Sequence, residues 1–311
     1  MIKALEVANL TKKYTPQAGV ENLSFSIASG EVLAYIGHNG AGKTTTIRTL
    51  LGLLKSDSGE IKYFGKRYDT YAGDFDALRG QLGVCLDNPG FYPNLSALKN
   101  LALFGELYGV CGAEFSSRAE ELLKKMALHH VRNDRVQTFS KGMRQKLALV
   151  RAMLHKPKLI FLDEPMTGLD PAARVLMRET VRELAKEQGV SFFLASHDLN
   201  EVEQLADNII ILEKGRIKQK GTLAELQNAR SVFSYTLVPD KPVSPEVLEK
   251  LRSVLACAVS ETDASRINLS ATTPVKLARV VAEFAKENIE ILEFHSAMNL
   301  EQIYFESLRR E

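Results

Sequence analysis

The sequence predicts an α/β fold: a parallel sheet core of P-loop type, an N-terminal antiparallel β subdomain, a helical subdomain, and a small C-terminal α+β domain. Three observations predict it. Wholly apolar strands alternate with helical segments through the middle of the chain, as in a parallel sheet covered on both faces. A glycine-rich loop, GHNGAGKTT, joins one such strand to a helix. Beyond about residue 230 the order becomes strand, helix, hairpin, helix, strand, helix, which is a split β-α-β arrangement.

Each element follows from its spacing. In LEVANLTKKY and ENLSFSIASG, residues alternate, with Leu23, Phe25 and Ile27 on one face, so residues 2–36, EVLAYIG included, read as antiparallel strands. EVLAYIG runs into the glycine loop and then the helix KTTTIRTLLGLLK, and SGEIKYFGKRY reads as a strand pair. From about residue 95 apolar residues recur every three or four positions, in LKNLALFGELYGV, EFSSRAEELLKKMAL and FSKGMRQKLALVRAML. KLIFLDEP, a helix over 171–188, VSFFLASH, a helix over 199–205, DNIIIL, a turn at EKGR and IKQKG follow. This assigns residues 1–228 to one domain, with its helical subdomain at about 88–152, and residues 229–311 to a second.

The chain has 311 residues, 45% hydrophobic and 25% charged, and is long enough to bury a core without disulfide or metal staples. A net charge of +2 offers no field for nucleic acid. Cys85, Cys111 and Cys257 lack metal or redox spacing and read as buried, reduced thiols. MIKALEVANLTKKY lacks the apolar run of a secretory signal, and no stretch approaches the ~20 residues of a membrane span. Work at a membrane therefore requires a partner.

The chemistry lies at strand ends. In residues 37–45, Gly37, His38, Asn39, Gly40, Ala41, Gly42, Lys43, Thr44 and Thr45 form G-x-x-x-x-G-K-[ST]. The backbone amides curl around a triphosphate, Lys43 reaches its β- and γ-phosphates, and the Thr44 hydroxyl meets Mg²⁺. LIFLDEP ends in two carboxylates. Asp163 is assigned to the metal's coordination sphere, and Glu164 to orienting or deprotonating the attacking water. His197, at the end of SFFLASHD, is assigned to the γ-phosphate and the lytic water, and Tyr14 to stacking on adenine. Ser140 and Gly142 open a second anion-ready helix. That helix start reaches a γ-phosphate if two chains face each other head to tail, each ATP lying between the loop of one and the helix start of the other.

GHNGAGKTT, FSKGMRQ, LIFLDEPMTGLDP and LASHD, in this order, closely resemble an ATP-binding cassette, the nucleotide-binding subunit of ABC transporters; the resemblance covers about residues 2–225. It implies an ATPase that uses ATP and Mg²⁺, pairs with a second copy, and sits at the cytoplasmic face of the membrane through a separate permease. FSKGM stands at the LSGGQ signature: Ser140 and Gly142 match it, whereas Phe139, Lys141 and Met143 depart. Asp170 matches the D-loop. The KGMRQK form is similar to exporter-type cassettes of drug and antibiotic efflux. Asp87, in GVCLDNPGFYP, stands where the family usually has a Gln that ligates Mg²⁺, which resembles bacitracin and lantibiotic self-protection cassettes. Phe91 and Tyr92 in that loop are candidates for the permease contact. The basic run KGRIKQKG reads as a solvated hairpin rim, with anionic lipid as the sharper alternative.

Overall fold

The computed structural model describes residues 3–68, 74–228, 233–255, 258–263, 266–271, 275–296 and 300–309. The chain divides into two compact units, Met1–Thr222 and Leu223–Glu311. Cys257 lies outside the described residues.

The first unit opens with β1 (Lys3–Lys13), β2 (Gly19–Ala28), β3 (Val32–Ile36) and α1 (Lys43–Leu50). It continues through β4 (Ser58–Tyr63), β5 (Lys66–Arg67), the unanticipated short helix α2 (Asp74–Arg79) and β6 (Leu82–Cys85). The helical block is α3 (Ala97–Leu107), α4 (Gly112–Lys125) and α5 (Lys141–Met153). Then come β7 (Leu159–Asp163), α6 (Pro171–Gln188), β8 (Ser191–Ser196), α7 (Leu199–Leu205), β9 (Asn208–Glu213) and β10 (Arg216–Gly221).

Two sheets result. The antiparallel sheet has the order β2-β1-β4-β5, and the larger one β10-β9-β3-β8-β7-β6. In the latter β9, β3, β8, β7 and β6 run parallel, and β10 is an antiparallel edge. One expectation is corrected here: EVLAYIG does not join the antiparallel strands, because β3 pairs in parallel with β8 and β9. All five residues of β3 are buried, so it belongs where both faces are covered. Alternate residues of β7 and β8 serve two cores. Ile160, Leu162, Phe192 and Leu194 pack with the helical block, while Leu159, Phe161, Phe193 and Ala195 pack with α1 and the antiparallel sheet. Each of the larger side chains among these contributes roughly 1.5–3 kcal/mol. A second correction concerns the thiols: Cys85 is buried but Cys111 is exposed, because it sits at the cap position of α4.

The second unit comprises α8 (Leu223–Asn228), β11 (Phe233–Pro239), α9 (Pro245–Leu255), β12 (Ala258–Asp263), β13 (Arg266–Ala271), α10 (Leu277–Lys286), β14 (Ile291–Ser296) and α11 (Leu300–Arg309). Its sheet has the order β12-β13-β11-β14 with antiparallel pairings, around a core that includes Leu237, Leu251, Leu269 and Phe284. α8, expected at the end of the preceding domain, falls in this unit and packs against α11.

The turn between β9 and β10 braces the glycine loop. Gly215 N donates to Ala41 O at 2.9 Å, and Glu21 N donates to Gly215 O at 2.8 Å. At Gly215 φ is 78°, and an added Cβ would lie 2.2 Å from Gly19 O, so only glycine fits. The basic residues beyond it are matched within the chain: Arg216 to Glu21 at 2.9 Å, Lys218 to Glu213 at 3.1 Å, and Lys220 to Ser24 O at 3.0 Å. That favours the hairpin-rim reading of KGRIKQKG over lipid binding. Gly215→Ala should destabilise the first unit by more than about 1 kcal/mol, seen as a lower midpoint in urea unfolding followed by circular dichroism. An unchanged midpoint would show that the turn is not a brace.

Candidate active site

β3 ends at Ile36, and the chain turns through residues 37–42 into α1. Gly42 caps that helix with φ 113°, and no side chain bonds to the first-turn amides. A Cβ at Gly42 would meet Val20 Cγ1 at 2.6 Å. The free amides and the helix dipole together make an anion site. They open onto a cleft of about 460 Å³ lined by His38, Asn39, Gly40, Gly42, Lys43, Thr44 and Thr45. That volume suits a nucleotide-sized ligand. Gly37 and the buried Ala41 shape the turn from behind: Gly37 O accepts from Lys43 Nζ at 2.6 Å, and Ala41 N donates to His38 O at 3.1 Å.

The carboxyl end of β7 brings in the acids. Asp163 is 6% exposed. Burial and the neighbouring Glu164 charge raise its carboxyl above the ordinary range; Lys43 opposes this, Asp87 adds to it, and a hydrogen bond from Thr44 opposes it. A carboxylate beside a hydroxyl is a hard-oxygen donor pair suited to Mg²⁺. Among the described residues no three His, Cys, Asp or Glu converge as a closed metal cage.

Glu164 stands in the left-handed region with φ 52°, a conformation that costs a non-glycine residue roughly 1–3 kcal/mol and collects at functional sites. Its backbone N is held by Ala195 O at 2.9 Å. Its side chain bridges two partners, with Oε1 3.5 Å from Lys43 Nζ and Oε2 2.7 Å from His197 Nδ1. With Nδ1–H donating to this carboxylate, Nε2 of the exposed imidazole is left for another partner. The structure thus joins Lys43, Glu164 and His197 in one relay.

Tyr14 lines the same cleft with a ring that is 55% exposed, and Gln17, Ala18 and Gly19 line it too. Those three neighbours carry no motif, and only the pairing of β1 with β2 brings their loop to the site. Ser140 caps α5, its Oγ accepting from Met143 N at 3.1 Å, which leaves the hydroxyl hydrogen free to donate. Gly142 lies against the loop before α6, where a Cβ would approach Gly168 O at 3.2 Å. Neither Ser140 nor Gly142 lines the cleft that holds Lys43. Asp87, just beyond β6, does line it, and its Oδ1 is 3.5 Å from Lys141 Nζ.

Two further groups escaped the sequence. Asp198 caps α7 next to His197, and Arg174 on α6 bonds it at 2.7 Å. Arg174 Nε also donates to Leu169 O at 3.4 Å, and with Arg178 it encloses the buried Glu201. This ionic cluster ties the loop before α6 to the histidine strand. The second group settles Phe91, which packs edge-on to Phe104 at 6.3 Å under the Arg151 guanidinium, 4.9 and 4.6 Å from the two ring centroids. Phe91 is therefore local packing, whereas Tyr92 is 56% exposed. The fully buried Asn100 holds this loop through Tyr92 N and O at 2.8 and 3.0 Å. A larger cavity, about 570 Å³, lies against β1, β2 and β9 and includes no phosphate-motif residue.

Known proteins share the fold. The ABC transporter family model matches residues 20–167. The bacitracin transport ATP-binding protein BcrA of Bacillus licheniformis is 32% identical over 308 residues, 99% of this chain and 98% of that protein. A solved ATP-binding subunit of an ABC transporter aligns with a TM-score of 0.67 at 36% identity, over 72% of this chain and 92% of that one. The ATP-binding cassette MJ0796, solved as a dimer in a post-hydrolysis state with ADP and Pi, aligns with a TM-score of 0.64 at 25% identity, over 70% and 98%. Among the described residues no helix is long and apolar enough to cross a membrane. With a relative aligned along nearly its whole length, the chain belongs to the ABC transporter family, as one of its ATP-binding, ATP-hydrolysing subunits.

Proposed function

We propose that this chain hydrolyses Mg²⁺-ATP as one of two cassettes that close head to tail. It thereby powers export of a drug-like, antibiotic, peptide or lipid compound through a separate permease at the cytoplasmic face of the membrane. The observation that carries the proposal is the division of the machinery: Lys43, Thr44, Asp163 and Glu164 share one cleft, while Ser140 and Gly142 stand outside it. A second copy supplies what the cleft lacks. Its Ser140 hydroxyl and α5 amides stabilise charge on the γ-phosphate, an effect worth about 10²–10³ in rate per donor.

The roles follow from the contacts. The amides of residue 40 and residues 42–45, with Lys43, hold the β- and γ-phosphates, and the Tyr14 ring offers the adenine a face. Thr44 and Asp163 would hold Mg²⁺, with Asp87 as a further carboxylate; when bound, the ion offsets charge on the transferring phosphoryl oxygens. Glu164 accepts a proton from the water that attacks phosphorus, as the bond to the ADP oxygen breaks. His197 steadies the Glu164 carboxylate through Nδ1 and turns Nε2 towards the γ-phosphate.

Export is favoured by the bacitracin transport relative, whose alignment runs beyond residue 222 into the second unit. Family membership also favours transport over a soluble cassette in DNA repair or translation. The second unit is assigned a regulatory or dimerisation role on the strength of its separate core. Tyr92 is assigned to the permease contact, being exposed on a loop that Asn100 anchors.

Glu164→Gln should keep ATP affinity and lose about 10²–10⁴ in turnover, so that an ATP-bound dimer accumulates on gel filtration. A monomer at saturating ATP, with the permease present, would count against the paired arrangement. Asp163→Asn should weaken the Mg²⁺ dependence of ATP binding yet raise the melting temperature of the nucleotide-free protein, by on the order of 1 kcal/mol in stability. The sign follows from the raised carboxyl: the fold disfavours its charged form, so stability falls as pH rises through the folded value. The Asn variant should therefore lose that part of the pH dependence, and a lower melting temperature would contradict the assignment. Tyr92→Ala should uncouple transport while sparing basal ATPase, whereas Phe91→Ala should destabilise the fold by roughly 1–3 kcal/mol. Transport assays beside thermal melts separate the two.

A further inference from the structure

Two residues depart from the family pattern by adding charge, and the fold brings them together. By the resemblance described above, Asp87 stands where a neutral Gln is usual, and Lys141 where LSGGQ has Gly. Lys141 Nζ lies 3.5 Å from Asp87 Oδ1. Asp87 faces two ways. It lines the nucleotide cleft with Thr44, Asp163 and Glu164, and it lines a groove of about 380 Å³ with Lys141 and Arg144. Lys141 is itself braced, because its stem lies along Gly168, where an added Cβ would meet Lys141 Cδ at 2.9 Å. Arg144 is committed elsewhere, donating to Phe139 O at 2.5 Å.

A carboxylate so placed has a choice of cation. Paired with Lys141, its charge is offset from the side of the helical block. Turned to Mg²⁺, it joins Asp163 and leaves the Lys141 ammonium free at the start of α5. Both side chains are about half exposed, 58% for Asp87 and 49% for Lys141, so the pair is weak enough for a divalent ion to compete with it.

We propose that Lys141 is a positioning residue that holds Asp87 away from the metal position until Mg²⁺-nucleotide draws it in, making the pair an electrostatic latch between the loop after β6 and the start of α5. The latch rests on the reading that this cleft binds Mg²⁺-nucleotide. It predicts opposite effects with and without metal. Without metal, loss of Lys141 leaves an uncompensated negative charge beside the phosphates. With metal, it frees Asp87 to bind the ion.

The test is ADP binding by titration calorimetry on the full chain, in Mg²⁺ and in EDTA, using wild type, Lys141→Gln, Asp87→Asn and the double variant. Lys141→Gln should weaken binding about two- to fivefold in EDTA and tighten it by a similar factor in Mg²⁺. The double variant should match Asp87→Asn in both buffers, and Lys141→Arg should behave as wild type. Shifts of the same sign in both buffers, no shift in either, or shifts that persist in the Asp87→Asn background would overturn the latch, since Lys141 would then act without Asp87. A wild type that binds no ADP in either buffer would overturn the nucleotide reading itself, and the latch with it.

Discussion

Burial of the parallel strands on both faces is the constraint from which the rest of the first unit follows. β3, β7 and β8 are buried at every position. A strand covered on both sides has no place for unpaired polar groups along its length. Polar chemistry is therefore pushed to the strand ends, and in a parallel sheet the carboxyl ends share one edge. Asp87, Asp163, Glu164, His197 and the glycine loop meet along that edge because the strands between them are too apolar to carry them anywhere else.

That concentration has an electrostatic consequence. Asp163 feels burial, Glu164 and Asp87 as unfavourable neighbours, and only Lys43 and the Thr44 hydroxyl as favourable ones. The site is thus built short of positive charge. In the proposed reaction a metal ion and the donors of a second protomer would relieve the deficit. Backbone strain at Glu164 belongs to the same design. The left-handed turn aims the carboxylate back between Lys43 and His197, and the bond from Glu164 N to Ala195 O holds it there.

Coupling between loops runs through charged side chains. Arg174 links Leu169 O to Asp198 and Glu201, and so joins the loop entering α6 to the residue after His197. Glu201 is the buried member of this cluster, and removing its arginine partners would leave its charge uncompensated. The Asp87–Lys141 pair is the soft counterpart, exposed and open to competition.

The sequence by itself determined the phosphate loop, the strand-end carboxylates, the helices over 171–188 and 199–205, and the order of elements in the second unit. Those features are local: spacing, apolar runs and caps lie within a few residues of one another. Tertiary structure alone decided four others. It decided that β3 leaves its sequence neighbours for the parallel sheet, that Gly215 braces the loop around Ala41, that Phe91 is packing while Tyr92 is surface, and that Gln17, Ala18 and Gly19 border the cleft. Each depends on residues far apart in the chain meeting at distances of a few ångströms. Arg174 illustrates the limit well. Nothing in its neighbourhood distinguishes it from the other basic residues of α6, and only the packing of α6 on α7 reveals the carboxylates it holds.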